Sequence, residues 1–463
     1  MGRELFCGGF ADMRLAGKQN YTAADLFRLS GPIFIELLLQ MLVGNVDQFM
    51  VSRISQSSVA AIGNGNQLMN IVIILLSVIA GATTVVLSQA IGCGDLDRVG
   101  QVVTVSTLII TAGGVLASGV LVFGGRALFG FLSVPQDVLG EALSYTMIVG
   151  SFVLVQGLYM NFAAILRSYG LVREVMVISA IMNLCNIAGN AVLINGLLGL
   201  PRLGVVGAAI STNLSKCVGL ALVWMTARRR LQIRLRPDQL RPFPSGVLRR
   251  LLQIALPSAG QELSYNLSQV TILRMVNLFG TAVIATKVYC SMLANVAYLY
   301  SQAISQATQI VLGYLVGAGN HRSVPRQVWV TCGISAAVSI SVTAILCCFS
   351  GPIFGLFTSD PAVLELGRQI LLIELVLELG RSINIVMVRC LVALGDVNFA
   401  VGLGTVSMWV VSVFGSWFFG VYLGLGLVGI WWAMALDECL RAVLYLIRFG
   451  CGSWRRRMDA VRG

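Results

Sequence analysis

A narrow polar stripe runs along the first long apolar segment of the chain, residues 31–53. Glu36, Gln40 and Asp47 lie on this stripe, and at 100° per residue in a helix they fall within about 40° of one another. The other faces carry Leu, Ile, Val, Met and Phe. An ionised carboxylate inside a membrane is costly unless it faces a polar cavity. The stripe therefore predicts that Asp47 binds a proton or a small cation there, with Glu36 and Gln40 lining a substrate cavity.

Amide side chains that could complete the ion site recur in two later apolar segments. Asn183, Asn186 and Asn190 share one helix face through their i, i+3, i+7 spacing, and Asn64 lies early in the second segment. An amide offers a neutral oxygen ligand or a hydrogen bond without cancelling the charge of Asp47. Hydrogen bonding between packed helices accounts equally well for each asparagine taken alone, so both roles stay open.

A second polar set, in the seventh and tenth apolar segments, is also expected to line a substrate cavity. Its members are Glu262, Tyr265, Asn266, Gln269, Glu374, Glu378 and Arg381. The spacing of Glu378 and Arg381 predicts an ion pair within one helix, which leaves Glu374 as the freer acid. Structural ion pairs of the same kind are expected among Asp437, Glu438 and Arg441.

The composition indicates a protein that crosses a membrane many times. Of its 463 residues 57% are hydrophobic and only 11% are charged, which is far from the balance of a soluble domain. The eleven cysteines form no CxxC motif, so neither disulfides nor a zinc or iron–sulfur site is expected. The net charge of +12 reflects basic residues at helix ends and in loops, as membrane topology requires, and nucleic-acid binding is not expected.

The apolar segments divide the chain into two halves of six. The expected organisation is an amino-terminal arm (1–30), a first lobe with helices one to six (31–226), an arginine-rich linker (227–250), a second lobe with helices seven to twelve (251–448) and a basic tail (449–463). Basic residues concentrate in the arm, the linker and the tail. The positive-inside rule therefore places both termini on the cytoplasmic side of the cell membrane.

An internal repeat of about 225 residues relates the two halves. GCGDLDRV at 92–99 recurs as GAGNHRSV at 317–324, and FGFLSV at 129–134 recurs as FGLFTS at 354–359. LGVVGA at 203–208 recurs as LGLVGI at 425–430. Because each half holds an even number of spans, the halves share one orientation. The fold class predicted is an all-α membrane protein of twelve helices in two six-helix bundles, related by a pseudo-twofold axis along the membrane normal.

Four motifs together resemble the multidrug and toxic compound extrusion (MATE) family. They are NVDQFMVS at 45–52, GCGD at 92–95, LRSYG at 166–170 and ALGD at 393–396, and the similarity spans residues 28–448. The resemblance implies an exporter that exchanges H⁺ or Na⁺ for organic, usually cationic or amphipathic compounds through a V-shaped cavity between the bundles.

The resemblance also assigns roles to single positions. Asp47 matches the first-helix aspartate that such transporters use for the coupling ion, and Na⁺ at Asp47 is the only metal ion expected. Some relatives carry a further acid on the sixth helix, where this chain has Ser211 and Thr212. Others have a glutamate near Tyr265, or an aspartate where this chain has Arg381. These departures leave the choice between H⁺ and Na⁺ open.

Two other functions are weighed against an ion-coupled antiporter. A flippase for a lipid-linked saccharide would line its cavity with arginines, and few intramembrane candidates exist; a metabolite exporter of narrow specificity also stays open. A membrane enzyme is not expected, because the chain has one histidine and no nucleophile–base or P-loop spacing. The expected partners are small organic substrates and the lipid bilayer, with no cofactor beyond the coupling ion and no further subunit.

Overall fold

Apolar stretches of more than 20 residues, broken by glycine or charged turns, become long helices throughout the chain. The computed structural model describes residues 18, 20–52, 55–196, 201–231, 241–355, 358 and 360–462. Within these ranges the regular structure is helical and includes no β-strand. Most of the predicted arm (1–17 and 19), the centre of the linker (232–240) and part of the 354–359 repeat lie outside the described residues.

The first half of the chain contains seven helices. They are α1 (Ala23–Ser52), α2 (Gln56–Cys93), α3 (Leu96–Phe131), α4 (Gln136–Ser151), α5 (Val153–Ser168), α6 (Val172–Asn195) and α7 (Gly204–Leu231). The fourth predicted span is broken, because α4 and α5 meet at a 45° bend. The bend follows the pair Gly150–Ser151, where the Ser151 hydroxyl donates to the Ile148 carbonyl at 2.8 Å, a common cause of sharp kinks.

The second half repeats this order. Its helices are α8 (Ser245–Val276), α9 (Thr281–Ala318), α10 (Ser323–Cys348), the short α11 (Ser350–Gly355), α12 (Pro361–Ala393), α13 (Val397–Ser407), α14 (Gly426–Gly450) and α15 (Trp454–Arg462). Beyond Ser407 the helix continues with wide π-helical turns over Met408–Val413 and Ser416–Tyr422. These turns carry the stacked rings of Phe414, Phe418 and Tyr422.

The described residues form two compact units. The first is built on Ile35–Ala255 and the second on Lys18–Phe34 and Leu256–Gly463. Both α1 and α8 therefore contribute residues to both units, whereas the predicted lobes began at 31 and 251. The helices also extend into the predicted linker at both ends, since α7 reaches Leu231 and α8 begins at Ser245.

Twelve long helices correspond to the twelve segments that the sequence predicts, when α4 and α5 are counted as one and α13 is taken with its π-helical continuation. By length and composition alone, eight of the described helices are apolar enough to cross a membrane, or nine if α4 and α5 form one span. The other three long helices, α8, α12 and α14, carry the charged and amide side chains of the second unit. Each half thus supplies six long helices, and the predicted all-α class is confirmed.

The repeated glycine turn has the same backbone in both halves. Gly94 ends α2 with φ 71°, and Gly319 ends α9 with φ 68°. Both residues occupy the left-handed region, where a side chain would be strained. The Gly94 amide donates to the Ala90 and Ile91 carbonyls, and the Gly319 amide to those of Leu315 and Val316. The repeat therefore preserves a helix C-cap.

The basic tail is partly helical and folds onto the second unit. Trp454, at the start of α15, is 2% exposed and stacks on Phe449 with ring centroids 5.6 Å apart. The fully buried carboxylate of Asp396, the last residue of the ALGD motif, binds Arg448 at 2.9 Å and Arg457 at 3.2 Å. The pair with Arg457 holds the tail helix beside the start of α13, and the pair with Arg448 holds the end of α14 there.

Close packing of α12 against α14 depends on Gly380. A Cβ atom at this position would lie 2.6 Å from the Cys439 backbone nitrogen, a distance that requires the helices to separate. We expect Gly380→Ala to destabilise the protein by about 1–3 kcal/mol, the usual cost of overpacking. The thermal unfolding midpoint of purified protein measures this cost.

The matched control for this change is Gly402→Ala in α13. A Cβ atom there meets nothing within 4 Å, so the substitution should be neutral, or stabilising by up to about 1 kcal/mol through helix propensity. Equal midpoints for the two variants would contradict the packing argument.

Candidate functional site

Asp47 lines a cavity inside the first unit. The cavity has a volume of about 530 Å³ and is walled by residues of α1, α2, α4, α6 and α7. Asp47 is placed there by α1, one turn after Gly44, and the side chain is half-buried. The Asp47 carboxylate thus faces a cavity, in line with the polar stripe.

Two amides of α6 hold the Asp47 carboxylate. Asn190 Nδ2 donates to Asp47 Oδ1 at 2.7 Å. With its amide nitrogen facing Asp47, Asn186 donates to Oδ1 and Oδ2 at 3.0 and 3.1 Å, an orientation assigned from the hydrogen-bond network. Both asparagines are buried, at 6% and 2% exposure. The structure thus brings Asp47, Asn186 and Asn190 together, with neutral donors around the acid.

Two other predicted asparagines lie elsewhere. Asn64 donates to the Ala60 carbonyl of its own helix at 2.9 Å, and the face of α2 that lines the cavity carries Asn66 and Asn70 instead. Asn183 also lies away from the cavity lining, and its amide nitrogen is buried without a hydrogen-bond partner among the described residues. The prediction that amide side chains surround Asp47 agrees with the structure, but Asn64 and Asn183 are not among those amides.

The polar lining is completed by residues of four helices. Gln40 lines the cavity as predicted, together with Thr212. Tyr145 contributes its hydroxyl, which donates to Asn66 Oδ1 at 3.1 Å. The cavity therefore offers several neutral hydrogen-bonding groups around one acid, an arrangement that suits a polar ligand.

Glu36 departs from its predicted role in a substrate cavity. The side chain is 1% exposed, and Arg167 Nη2 lies 2.5 Å from its Oε1 atom. Gln40 Nε2 donates to the same oxygen at 3.3 Å. A carboxylate this deeply buried requires a compensating charge, and Arg167 at the end of α5 supplies it. Glu36 is thus part of a buried ion pair rather than of the cavity lining.

The sequence analysis missed a lysine in the same cavity. Lys216 lies on α7, one turn after Thr212, and lines the cavity with Asp47. Among the described residues it has no hydrogen-bond or ion-pair partner. Lys216 follows Thr212 by four residues and so lies on the same face of α7. This spacing was the signal in the sequence that could have revealed Lys216.

A second cavity lies inside the second unit. It measures about 330 Å³. The charged and amide side chains of its lining come from α8, α9, α12 and α14 and are Gln269, Lys287, Asn295, Glu374, Arg381, Asp437, Glu438 and Arg441. Tyr265 also lines it. The predicted pair is present, since Arg381 Nη1 lies 2.5 Å from Glu378 Oε1.

Glu374 is not the freer acid that the spacing suggested. Its Oε1 accepts from Arg381 at 3.1 Å, and its Oε2 accepts from the Trp431 indole at 2.5 Å. Because one guanidinium reaches both Glu374 and Glu378, the helix face predicted from sequence forms one cluster. Both carboxylates are buried, at 2% and 0% exposure.

The helix α14 residues form a second cluster beside the first. Arg441 Nη2 lies 2.7 Å from Asp437 and 2.9 Å from Glu438, the structural pairs that were expected. Ser407 donates to Asp437, and Asn384 donates to Glu438. Three of the four carboxylates, Glu374, Asp437 and Glu438, line the cavity together with Arg381, Arg441 and Lys287, so the formal charges of the lining balance.

Two predicted residues of α8 lie outside this cavity. Glu262 and Asn266 are exposed, and Asn266 Nδ2 donates to the Glu262 main-chain carbonyl at 2.8 Å. Tyr265 and Gln269 of the same helix line the cavity. For Glu262 and Asn266 a cavity-lining role stays a prediction.

Comparison with known proteins agrees with the motif resemblance. A family model described as MatE matches residues 32–192 and 257–418. A transporter called uncharacterised, YisQ of Bacillus subtilis, is 36% identical over 444 residues, which cover 95% of each chain. A probable multidrug resistance protein NorM of Thermotoga maritima is 25% identical over 441 residues, covering 95% of this chain and 94% of its own.

A solved structure shares the fold. The Vibrio cholerae MATE transporter VcmN in its bent form superimposes with a TM-score of 0.87 at 21% identity, covering 95% of this chain and 98% of its own. This likeness supports the two-lobed, twelve-helix architecture counted above.

Proposed function

Because the chain belongs to the multidrug and toxic compound extrusion family of membrane transporters, we propose that it is an antiporter that exports organic compounds in exchange for H⁺ or Na⁺. The cargo is cationic or amphipathic, and transport proceeds by alternating access across the cell membrane. The chain works as a monomer with both termini in the cytoplasm, and it needs no cofactor beyond the coupling ion.

The observation that carries this proposal is the setting of Asp47. Its carboxylate faces a cavity and is held by the neutral amides of Asn186 and Asn190. A carboxylate with neutral partners can exchange one positive charge for another, because no fixed ion pair has to be broken first. Protonation, or Na⁺ binding, then competes with a cation of the cargo for the same two oxygens.

The second cavity bears on the choice between an exporter and a flippase. Its lining carries three carboxylates and three cationic side chains, so the cavity has no excess positive charge that would attract an anion. Arg381 and Arg441 are both engaged by carboxylates, so neither is free to bind the phosphates of a lipid-linked saccharide. This arrangement favours an exporter of organic compounds over a flippase.

Imposed ion gradients test the proposal. In proteoliposomes loaded with the cationic dye ethidium, we expect an imposed pH gradient or an imposed Na⁺ gradient to accelerate dye movement severalfold over equal concentrations on both sides. The reason is that a gradient makes the coupling ion occupy Asp47 more on one side of the membrane than on the other, so that exchange for the cargo has a net direction. Fluorescence of the released dye is the measurement.

The two gradients are applied separately, so that the result also identifies the coupling ion. Protein-free liposomes are the control for dye leakage. If neither gradient changes the dye flux relative to those liposomes, over a panel of cationic dyes, the antiporter proposal is wrong.

A further inference from the structure

The first cavity holds two opposite charges that do not touch each other. The charged residues among its described lining are Asp47 and Lys216. Asp47 is bound by amides, and no ion pair joins it to Lys216 or to any other described residue. The cavity of about 530 Å³ therefore presents an acid and a base that both reach open space.

Lys216 is too deep in its helix to reach the membrane surface. It lies twelve residues after the start of α7 at Gly204 and fifteen before its end at Leu231. At about 1.5 Å per residue these are distances of roughly 18 and 22 Å, whereas snorkelling serves lysines near helix ends. The basic residues that mark the end of this helix are Arg228, Arg229 and Arg230. The ammonium group of Lys216 is thus confined to the cavity.

A chain of contacts separates the two charges. Asp47 is bound by Asn186, and the amide of Asn186 approaches Thr212 Oγ1 at 3.4 Å. Lys216 follows Thr212 by one helical turn on the same face of α7. The acid and the base are therefore held apart on different helices, with an amide and a hydroxyl between them.

A pair of separated charges selects its ligand by charge pattern. A simple cation gains from Asp47 but is repelled by Lys216, and a simple anion meets the reverse. A molecule that carries both an ammonium and a carboxylate group satisfies both, and each charge-assisted hydrogen bond is worth about 1.5–3 kcal/mol. Neither buried charge then stays uncompensated.

We propose that the first cavity recognises zwitterionic compounds, with Asp47 binding the cationic group of the cargo and Lys216 binding its carboxylate. The inference rests on the proposed export function, because it names the class of cargo for the same cavity. Protonation of Asp47 removes one of the two contacts, so the coupling ion weakens cargo binding without changing Lys216.

A matched pair of dyes tests this inference by binding rather than by transport. Rhodamine B carries a cationic xanthene and a free carboxylate, and its ethyl ester lacks the carboxylate charge. Binding of both dyes to protein in nanodiscs is measured by fluorescence anisotropy, with empty nanodiscs subtracted. We expect the wild type to prefer rhodamine B, and Lys216→Met to lower the affinity ratio of rhodamine B to ester about tenfold, since one charged contact is lost.

Two further variants make the test specific. Lys216→Arg keeps the charge and should keep most of the preference for rhodamine B. Arg229→Met removes an exposed positive charge at the end of the same helix α7, and it should leave the ratio unchanged. If Lys216→Met does not yield folded protein, Lys216→Gln replaces it in the same comparison.

The inference is overturned if the wild type binds the ester at least as tightly as rhodamine B, or if the ratio is the same with and without Lys216. Its failure is distinguishable from failure of the proposed function. Gradient-driven dye export together with no preference for the zwitterion would reject this inference alone. A preference that depends on Lys216, without any response to ion gradients, would reject the antiporter mechanism alone.

Discussion

Asp47→Asn is expected to reduce gradient-driven efflux about 100-fold, close to the background of protein-free liposomes. The substitution keeps the shape of the side chain but removes the charge that a proton, Na⁺ or a cationic cargo requires. Charged hydrogen bonds are worth up to about 3 kcal/mol, and each 1.4 kcal/mol changes an equilibrium tenfold. Dye efflux from proteoliposomes under an imposed gradient measures the effect.

The matched control is Asp137→Asn. Asp137 lies in the first turn of α4 and is exposed, so its loss should leave efflux within about twofold of wild type, as for most surface changes. Efflux by Asp47→Asn that still responds to the gradient as the wild type does would show that Asp47 is not the coupling residue.

Arg381→Met is expected to destabilise the protein by about 3–5 kcal/mol, the usual cost of leaving buried charge without its partner. Arg381 is the guanidinium that contacts Glu374 at 3.1 Å and Glu378 at 2.5 Å. Both carboxylates are almost fully buried, so neither can regain hydration when the arginine is removed. Thermal or SDS-induced unfolding of the purified protein gives the measurement.

Two comparisons separate this electrostatic effect from lost packing. Arg368→Met changes an exposed arginine of the same helix α12 and should cost less than about 0.5 kcal/mol. The double variant Arg381→Met/Glu378→Gln removes one of the stranded charges and should recover part of the loss. Equal stability of the single and double variants would show that the buried charges are not the cause.

The membrane-spanning architecture could be predicted from sequence almost completely. Apolar length, charged turns and a repeat of about 225 residues sufficed, because a spanning helix must satisfy its own backbone hydrogen bonds. The repeated turn at Gly94 and Gly319 followed from the same pattern. The bend after Ser151 was missed, since a local kink changes neither the length nor the hydropathy of a span.

The candidate site could be predicted only in part. Helical periodicity placed Asp47 beside the amide face of α6, and it also found the pair Glu378–Arg381 because both residues lie on one helix. Arg167 was missed as the partner of Glu36 because 131 residues separate the two in sequence. Its position near a helix end is equally consistent with the positive-inside rule. Long-range pairing of this kind needs the packed helices.

The α2 face shows a different limit. Asn64 and Asn66 differ by two residues, or about 200° around a helix, so they lie on nearly opposite faces and the rotation of α2 decides which of them lines the cavity. Helix rotation within a bundle is set by tertiary packing. The sequence identifies the residue type that lines a cavity more reliably than the individual residue.

The wide turns that follow α13 have a mechanical consequence. A π-helical turn holds one residue more than an α-helical turn, and each residue of an α-helix advances the side-chain direction by about 100°. Converting one wide turn over Ser416–Tyr422 into a regular one would swing the ring of Tyr422 by that angle about the helix axis. The wide turn therefore sets the direction that the ring of Tyr422 faces, and with it the aromatic surface that this segment presents.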